Sequence, residues 1–483
     1  MEKDLKRKER EAKELLGIDL RMEKSNKFLK FMWLLVIIIT IIYIVDEIAS
    51  NMDTRMRMFM LYDLFKIDIN ALSDMLNPGY EAAHNTYDSA VSSMSIATIP
   101  VYLLFFLLPL YKMLADRFGR KLFLILNTLG MGLGMLVCAI APNHFIYIIG
   151  FVVVAFFTPN DAQVIYIMEV APAKHRAKLC SITKGIALLS VSLIGILKSI
   201  FYTPENPSSW RLVFIVPVAL ALVVAFIAIF AIGETPVFLR QRKAYLEKTD
   251  EQREEEKKQA ELDKSKSGGI KGAFHYITHN HQLRWIAIIL LIFQFAVGAI
   301  GYENEVLMHF STQTQEANNA FWIIEPIVYA IFAFGSGFIS DWFGRKNSCL
   351  IFAIFAIVGE AMFIIGAKFF VSQTFLLALF NGMFYGGLWS LSDCLFLVMP
   401  SESTPTNIRA SVGGLITYTG GIGKIVGLLI GILYSTITYQ RIGYFQAFVI
   451  VPVLIVSIVL LMIKVKETKG IDMDNVEEEL AKL

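Results

Sequence analysis

Twelve apolar blocks, each about as long as a bilayer is thick, constrain the fold of this chain more than any other feature. They lie at about 30–50, 92–114, 122–141, 144–168, 179–201 and 212–233, then at about 283–303, 320–340, 347–368, 372–398, 411–436 and 443–463. About 20 apolar residues in a helix cross the hydrocarbon core of a bilayer. Backbone amides there must bond within their own segment, so each block is expected to be a helix. The predicted fold class is an all-α membrane protein with twelve transmembrane helices in two pseudo-symmetric six-helix bundles. The composition follows from these blocks: 55% of residues are hydrophobic and 18% charged, against about 45–50% and about 25% in a soluble domain. The domain reading is a charged segment over 1–29, a bundle over 30–238, a charged linker over 239–282, a bundle over 283–463 and a tail over 464–483.

Lys and Arg favour cytoplasmic loops and so set the orientation. Ten fall between Lys3 and Lys30, and the loop after the second block has Arg117, Arg120 and Lys121. The loop after the fourth has Lys174, Arg176 and Lys178, and 239–281 holds Arg240, Arg242, Lys243 and seven more. Residues 305–319 have none. Both termini are therefore expected in the cytoplasm, with the chain in the cell membrane. The stretch 52–90 contains RMRMFMLYDLF, expected to lie on the outer surface as an amphipathic turn of helix. The segment 244–267 reads as a solvated, mixed-charge helix between the halves. No cleavable signal is expected, and the one Asn-x-Ser stretch is blocked by Pro207. Cys138, Cys180, Cys349 and Cys394 all fall in apolar blocks without metal-ligand spacing, which makes them core residues and excludes a disulfide framework.

The halves repeat each other. Asp116-Arg117-Phe118-Gly119-Arg120-Lys121 returns as Asp341-Trp342-Phe343-Gly344-Arg345-Lys346, each after the second helix of its half. Glu169-x-x-Pro172-x-x-x-Arg176-Ala177 returns as Glu402-x-x-Pro405-x-x-x-Arg409-Ala410, each after the fourth. Duplicated halves are the rule in secondary transporters, whose site lies where the repeats meet near the midplane. The residue types suit a cytoplasmic gate. Glycine lets a short loop turn tightly. Arginine holds a carboxylate in a fixed fork, so Asp116, Asp341, Glu169 and Glu402 are expected to pair with arginines of neighbouring helix ends. A part-exposed pair is worth ~1 kcal/mol, enough to bias a state and still break in each cycle.

These loops resemble the GxxxDxxGRK signature of the major facilitator superfamily, complete from Gly337 to Lys346, with Lys112 in place of the first glycine in the first half. Val164-Ile165-Tyr166-Ile167-Met168-Glu169-Val170-Ala171-Pro172, Trp210-Arg211, Glu234-Thr235-Pro236-x-Phe238-Leu239 and Glu467-Thr468-Lys469-Gly470 are similar to its sugar porter branch. The resemblance runs from about Asp46 to Gly470. It implies the major facilitator fold, alternating access and close helix packing at Gly337. Two features depart from that branch. Its paired glutamines and following asparagine in helix seven are here Gln294, Phe295 and Ile300, and its helix-four arginine has Ile149 near its place.

Ionisable groups inside spanning helices are costly and usually face the bundle interior. Asp46 and Glu47 in helix one are candidates for proton coupling, or alternatively close that helix at the outer surface. Asp161 and Asp393 join them, eight and nine residues before the paired glutamates. Asn381, Tyr385, Trp389 and Asp393 stand four apart in helix ten, so they run along one face and would suit a solute-lined wall. Asn160 and Gln163 beside Pro159 make a smaller version in helix four; interhelical bonding is the competing account of both sets. Gln294, Glu325 and Lys424 complete the candidate contacts, Lys424 as a partner for a carboxylate. Lys184 is expected to snorkel to the cytoplasmic surface.

The expected activity is proton-coupled uptake of a small polar organic solute such as a sugar, polyol or organic acid, by a chain functional as a monomer. The expected partners are that solute, protons and membrane lipid, with no nucleic acid, cofactor or metal. A drug exporter is the first alternative. The GPxxGG-like stretch usual in such exporters of the superfamily is missing from helix five, which reads Gly185-Ile186-Ala187-Leu188-Leu189 and so disfavours export. A nutrient sensor is a remote alternative, and the tail is short for recruiting a partner. An enzyme is not expected. No GxxxxGK[ST] is present, so the energy must come from a gradient.

Overall fold

The computed structural model describes residues 2–469 except 30–31, 74–75, 105–106, 108–110, 112–113, 115–117, 161, 172–175, 268, 301–313, 371, 405–407 and 436–441. Among the described residues the fold is helical and has no sheet. A leading helix, α1 (Glu2–Leu29), precedes the first half. That half holds α2 (Met32–Leu64), the short α3 (Ile69–Ser73), α4 (Tyr80–Leu104), α5 (Arg120–Ile140), α6 (His144–Phe157), α7 (Ala162–Val170), α8 (Arg176–Ser190), α9 (Ser192–Phe201) and α10 (Trp210–Ala231). The linker forms α11 (Pro236–Glu247), α12 (Asp250–Ser267) and α13 (Gly269–His279). The second half holds α14 (His281–Ile300), α15 (Gln315–Phe343), α16 (Arg345–Phe369), α17 (Thr374–Asp393), α18 (Met399–Glu402), α19 (Arg409–Ser435), α20 (Ile442–Phe445) and α21 (Val451–Lys464).

Eleven described stretches are long and apolar enough to cross a membrane. The block at 92–114 begins in α4, and most of its remainder lies outside the described residues. Twelve crossings are consistent with this. The block at 144–168 is divided, because Pro159 has no N–H to continue a helix, and a 3₁₀ turn over Thr158–Asn160 joins α6 to α7. Cys394–Val398 is a π-helical turn after Asp393, and Gln446–Ile450 is another. Each ends just before a proline, with Met399 and Val451 donating five residues back, to Cys394 and Gln446.

One expectation fails at the first helix. The segment 52–64 does not lie on the surface: α2 runs unbroken to Leu64, and Arg55 and Arg57 are buried. The methionines, Phe59 and Leu61 between the charges bury this stretch on all sides, while the charges find partners inside. Arg57 pairs with Asp53, which also accepts the Tyr147 hydroxyl at 2.7 Å. Asp63 accepts Trp210 Nε1 at 3.1 Å and pairs with Arg211, tying the end of α2 to the start of α10.

Each half has its own apolar core, one around Ile42, Met131, Tyr147 and Trp210, the other around Leu283, Phe293, Phe352 and Phe384. Tyr385 packs against both. Gly427 lets α19 lie directly on the backbone of α14, since a Cβ there would strike the Phe295 carbonyl. Outside the bundles, α1 rests on α11 and α12. Glu14 pairs with Arg242 at 2.8 Å, Glu11 with Arg253 at 3.0 Å and Asp19 with Lys243 at 2.7 Å, around an apolar contact of Ile18 with Leu239 and Leu246.

Candidate functional site

The repeated loops form two matching knots on the face that carries α1, the linker and residues 465–469. In the first half Arg120 Nε donates to Glu169 at 2.9 Å, and Thr235 donates to the other oxygen of Glu169 at 2.6 Å. Glu234 accepts the backbone N–H groups of Arg120 at 2.9 Å and Lys121 at 3.1 Å. In the second half Arg345 Nε donates to Glu402 at 3.1 Å, and Thr468 donates to the other oxygen of Glu402 at 2.7 Å. Glu467 accepts Arg345 N–H at 2.7 Å and Lys346 N–H at 3.1 Å. Lys121 and Lys346 donate to the carbonyls of Ile229 and Met462, near the ends of α10 and α21. Gly119 and Gly344 adopt φ of +110° and +89°, open only to glycine at low cost, and a Cβ on either would strike Glu234 or Glu467. Burial pushes the Glu234 carboxyl above its ordinary range; the N–H groups it accepts hold part of that shift back, and Glu169 nearby adds to it.

Both knots close within a half, so none of these bonds joins one bundle to the other. Asp341 pairs at 3.0 Å with Arg345 of its own loop and stays exposed. The packing implied for Gly337 is not made among the described residues: a Cβ there meets none of them within 4 Å, and Phe338 and Trp342 beside it are exposed. Asp116, Arg117 and Asp161 lie outside the described residues, and Asn160, Arg176 and Arg409 are placed by their backbone alone.

In the bundle interior the candidates come together in pairs. Gln163 donates to the buried Asp46 at 2.7 Å, joining the first and fourth helices of the first half. Gln294 donates to Ser392 at 2.9 Å, joining the first and fourth helices of the second half. Asp46, Gln163 and Gln294 thus sit at matched helix pairs of the two halves. Along α17, Asn381 is buried, Tyr385 lies between the cores, Trp389 is exposed and Asp393 half exposed. Lys184 is part exposed and meets Asp393 at 2.6 Å, a pair that crosses between the halves. Glu47 is half-buried beside Asp46, and its carbonyl accepts Asn51. Lys424 is half-buried in α19, its carbonyl against Gly298 of α14.

Glu325 is fully buried and pairs with Arg55 at 2.9 Å, an arginine assigned no role in the sequence. The signal was present, since an acid deep in a spanning helix demands a cation. Its partner was hidden in a stretch whose charges suggested a surface. Among the described residues no group of three His, Cys, Asp or Glu would hold a metal ion.

This arrangement has known counterparts. A D-xylose-proton symporter superposes with a TM-score of 0.63 at 17% identity, covering 91% of this chain and 99% of that one. The inward-open xylose transporter XylE from E. coli gives 0.61 at 16% identity, covering 92% and 99%. At such identities the likeness is one of fold. A putative sugar transporter, ERD6-like 13, of Arabidopsis thaliana is 24% identical over 394 residues, 76% of this chain and 77% of the relative. Facilitated glucose transporter member 12 of solute carrier family 2, from Mus musculus, is 30% identical over 128 residues, spanning 26% of this chain and 20% of the relative's length. The sequence pattern of the Major Facilitator Superfamily matches residues 67–428. Matched halves, paired knots and that match lead to one assignment: the chain belongs to the Major Facilitator Superfamily and is a membrane transporter, not an enzyme.

Proposed function

We propose that the chain takes up a small polar organic solute, of the sugar, polyol or organic acid class, together with protons across the cell membrane by alternating access. Its termini lie in the cytoplasm, where the excess of Lys and Arg belongs. The observation that carries this reading is the buried Asp46–Gln163 bond. A buried carboxylate between the first and fourth helices, accepting the Gln163 amide, is a group able to carry a proton as the site changes exposure. The matched Gln294–Ser392 bond and Tyr385 supply amide, hydroxyl and ring surfaces of the kind that bind polyhydroxylated solutes. The sugar-transporter relatives support the same class. The knots stiffen the cytoplasmic end of each bundle, so that the halves rock as bodies.

Labelled sugars, polyols and carboxylates offered to proteoliposomes, with and without an inward proton gradient, test this. Accumulation of one class that collapses when the gradient is dissipated is the expected result. Downhill movement indifferent to the gradient overturns the coupling, and export against a drug gradient overturns the direction.

A further inference from the structure

The contacts between the halves are unlike at the two ends of the interface. Toward the terminal face the crossing pair is Lys184–Asp393, with side chains 37% and 48% exposed. Toward the opposite face, extracellular in the proposed orientation, the crossing groups are out of water. Arg55 of α2 meets Glu325 of α15 at 2.9 Å with side chains 5% and 0% exposed. The guanidinium also lies 4.5 Å from the centre of the Trp322 ring, a cation–π contact within the same junction. Beside it Ser192 donates to the Ile323 carbonyl at 2.9 Å, and Lys198 donates to Asn318. Gly195 brings α9 so near the backbone at Trp322 and Ile323 that a Cβ would crowd both.

We infer that Arg55 and Glu325 are the positioning residues of an outer latch, the ion pair that holds the halves together on the face opposite the termini and parts once in each transport cycle. The inference rests on alternating access, not on the identity of the solute. A charged pair buried without water is stable only while both members are present; separating them is tolerable only if water enters. Such a pair therefore penalises a half-open interface and leaves two states, sealed and paired or open and hydrated. Glu325 is suited to this, because its Oε1 has no hydrogen-bond partner among the described residues. Arg55 is the cation that faces this carboxylate in the sealed state. An apolar seal would have no such threshold, since its cost rises gradually with the area exposed. While the latch is shut it lies on the outer side of the interface, and the part-exposed Lys184–Asp393 pair lies toward the terminal end.

The test measures distance rather than transport. Spin labels on Glu205→Cys and Glu316→Cys, both exposed on the outer face and one in each half, report the separation there. The background carries Cys180→Ser, because the other three cysteines are buried. Glu325→Gln is expected to raise the ratio of long to short separations about tenfold or more, and the exchange Arg55→Glu with Glu325→Arg to return it to within about twofold of wild type. An unchanged distribution in Glu325→Gln overturns the inference, as does an exchange variant that stays as open as the single one. If Glu325→Gln fails to fold, Arg55→Gln carries the same expectation and the same refutation. The readout needs no solute, so failure of the uptake panel leaves it standing. Intact gradient-driven uptake with unchanged distances removes the latch alone.

Discussion

Glu234 and Glu467 perform one task in two places: each carboxylate accepts the backbone N–H groups of the Arg–Lys pair that opens the third helix of its half. The threonine after each donates to the glutamate that holds that arginine's side chain, across 66 positions in both halves. The duplication therefore extends from loop sequence to a whole set of contacts, and these contacts can be removed one at a time.

Removing the arginine of either knot tests its contribution. Arg120→Ala and Arg345→Ala each lose a part-exposed pair worth about 1 kcal/mol, and somewhat more because Glu169 or Glu402 is left short of a donor. Thermal unfolding in detergent should fall by a few degrees for each, and the double variant by roughly the sum, since the knots share no partner. The same variants should shift the balance of inward- and outward-open forms. A double loss far from the sum would show that the knots communicate directly.

The turns separate two glycines that the family signature treats alike. Gly344→Ala forces a side chain into φ +89° and against Glu467, at a cost of about 1–3 kcal/mol. Gly337→Ala meets open space in a helix and should stay within about 0.5 kcal/mol of wild type. Equal melting temperatures for the two would contradict the geometry.

Asp46→Asn keeps the shape of the carboxylate and removes its proton chemistry. Gradient-driven uptake is expected to drop about tenfold or more, while exchange of solute at equal pH persists. Gln163→Leu leaves Asp46 without its amide donor and should alter the pH dependence of uptake rather than abolish it. Loss of exchange along with driven uptake in Asp46→Asn would mean that this side chain binds the solute itself.

Glu234 makes stability depend on pH in a stated direction. Burial raises its folded-state pKa, so the folded protein holds this proton more tightly than the unfolded chain does. Its contribution is full below the ordinary carboxylate value of about 4.3 and is lost as pH rises through the raised value. Wild type should thus gain stability relative to Glu234→Gln as pH falls from 7 toward that window, read as the difference between their melting temperatures. A difference that is flat or of opposite slope would count against the burial argument.

The sequence by itself determined the class of fold. Blocks long enough to cross a bilayer leave the backbone no choice but helix, and the return of Asp116–Lys121 as Asp341–Lys346 made the halves legible without coordinates. It also gave the residue types of the site, since Asp46, Gln163, Gln294 and Asp393 stand out as polar groups in apolar helices. What it left open was pairing. Gln163 reaches Asp46 across 117 positions and Lys184 reaches Asp393 across 209, and periodicity along one helix carries no record of which face a distant helix presents. Arg55 shows the limit most plainly. Its neighbours read as a surface stretch, because charge next to methionine looks amphipathic until a buried acid from the other half is brought against it. Burial is a property of the assembled bundle, and only the tertiary structure decided which charges lie in water and which lie against each other.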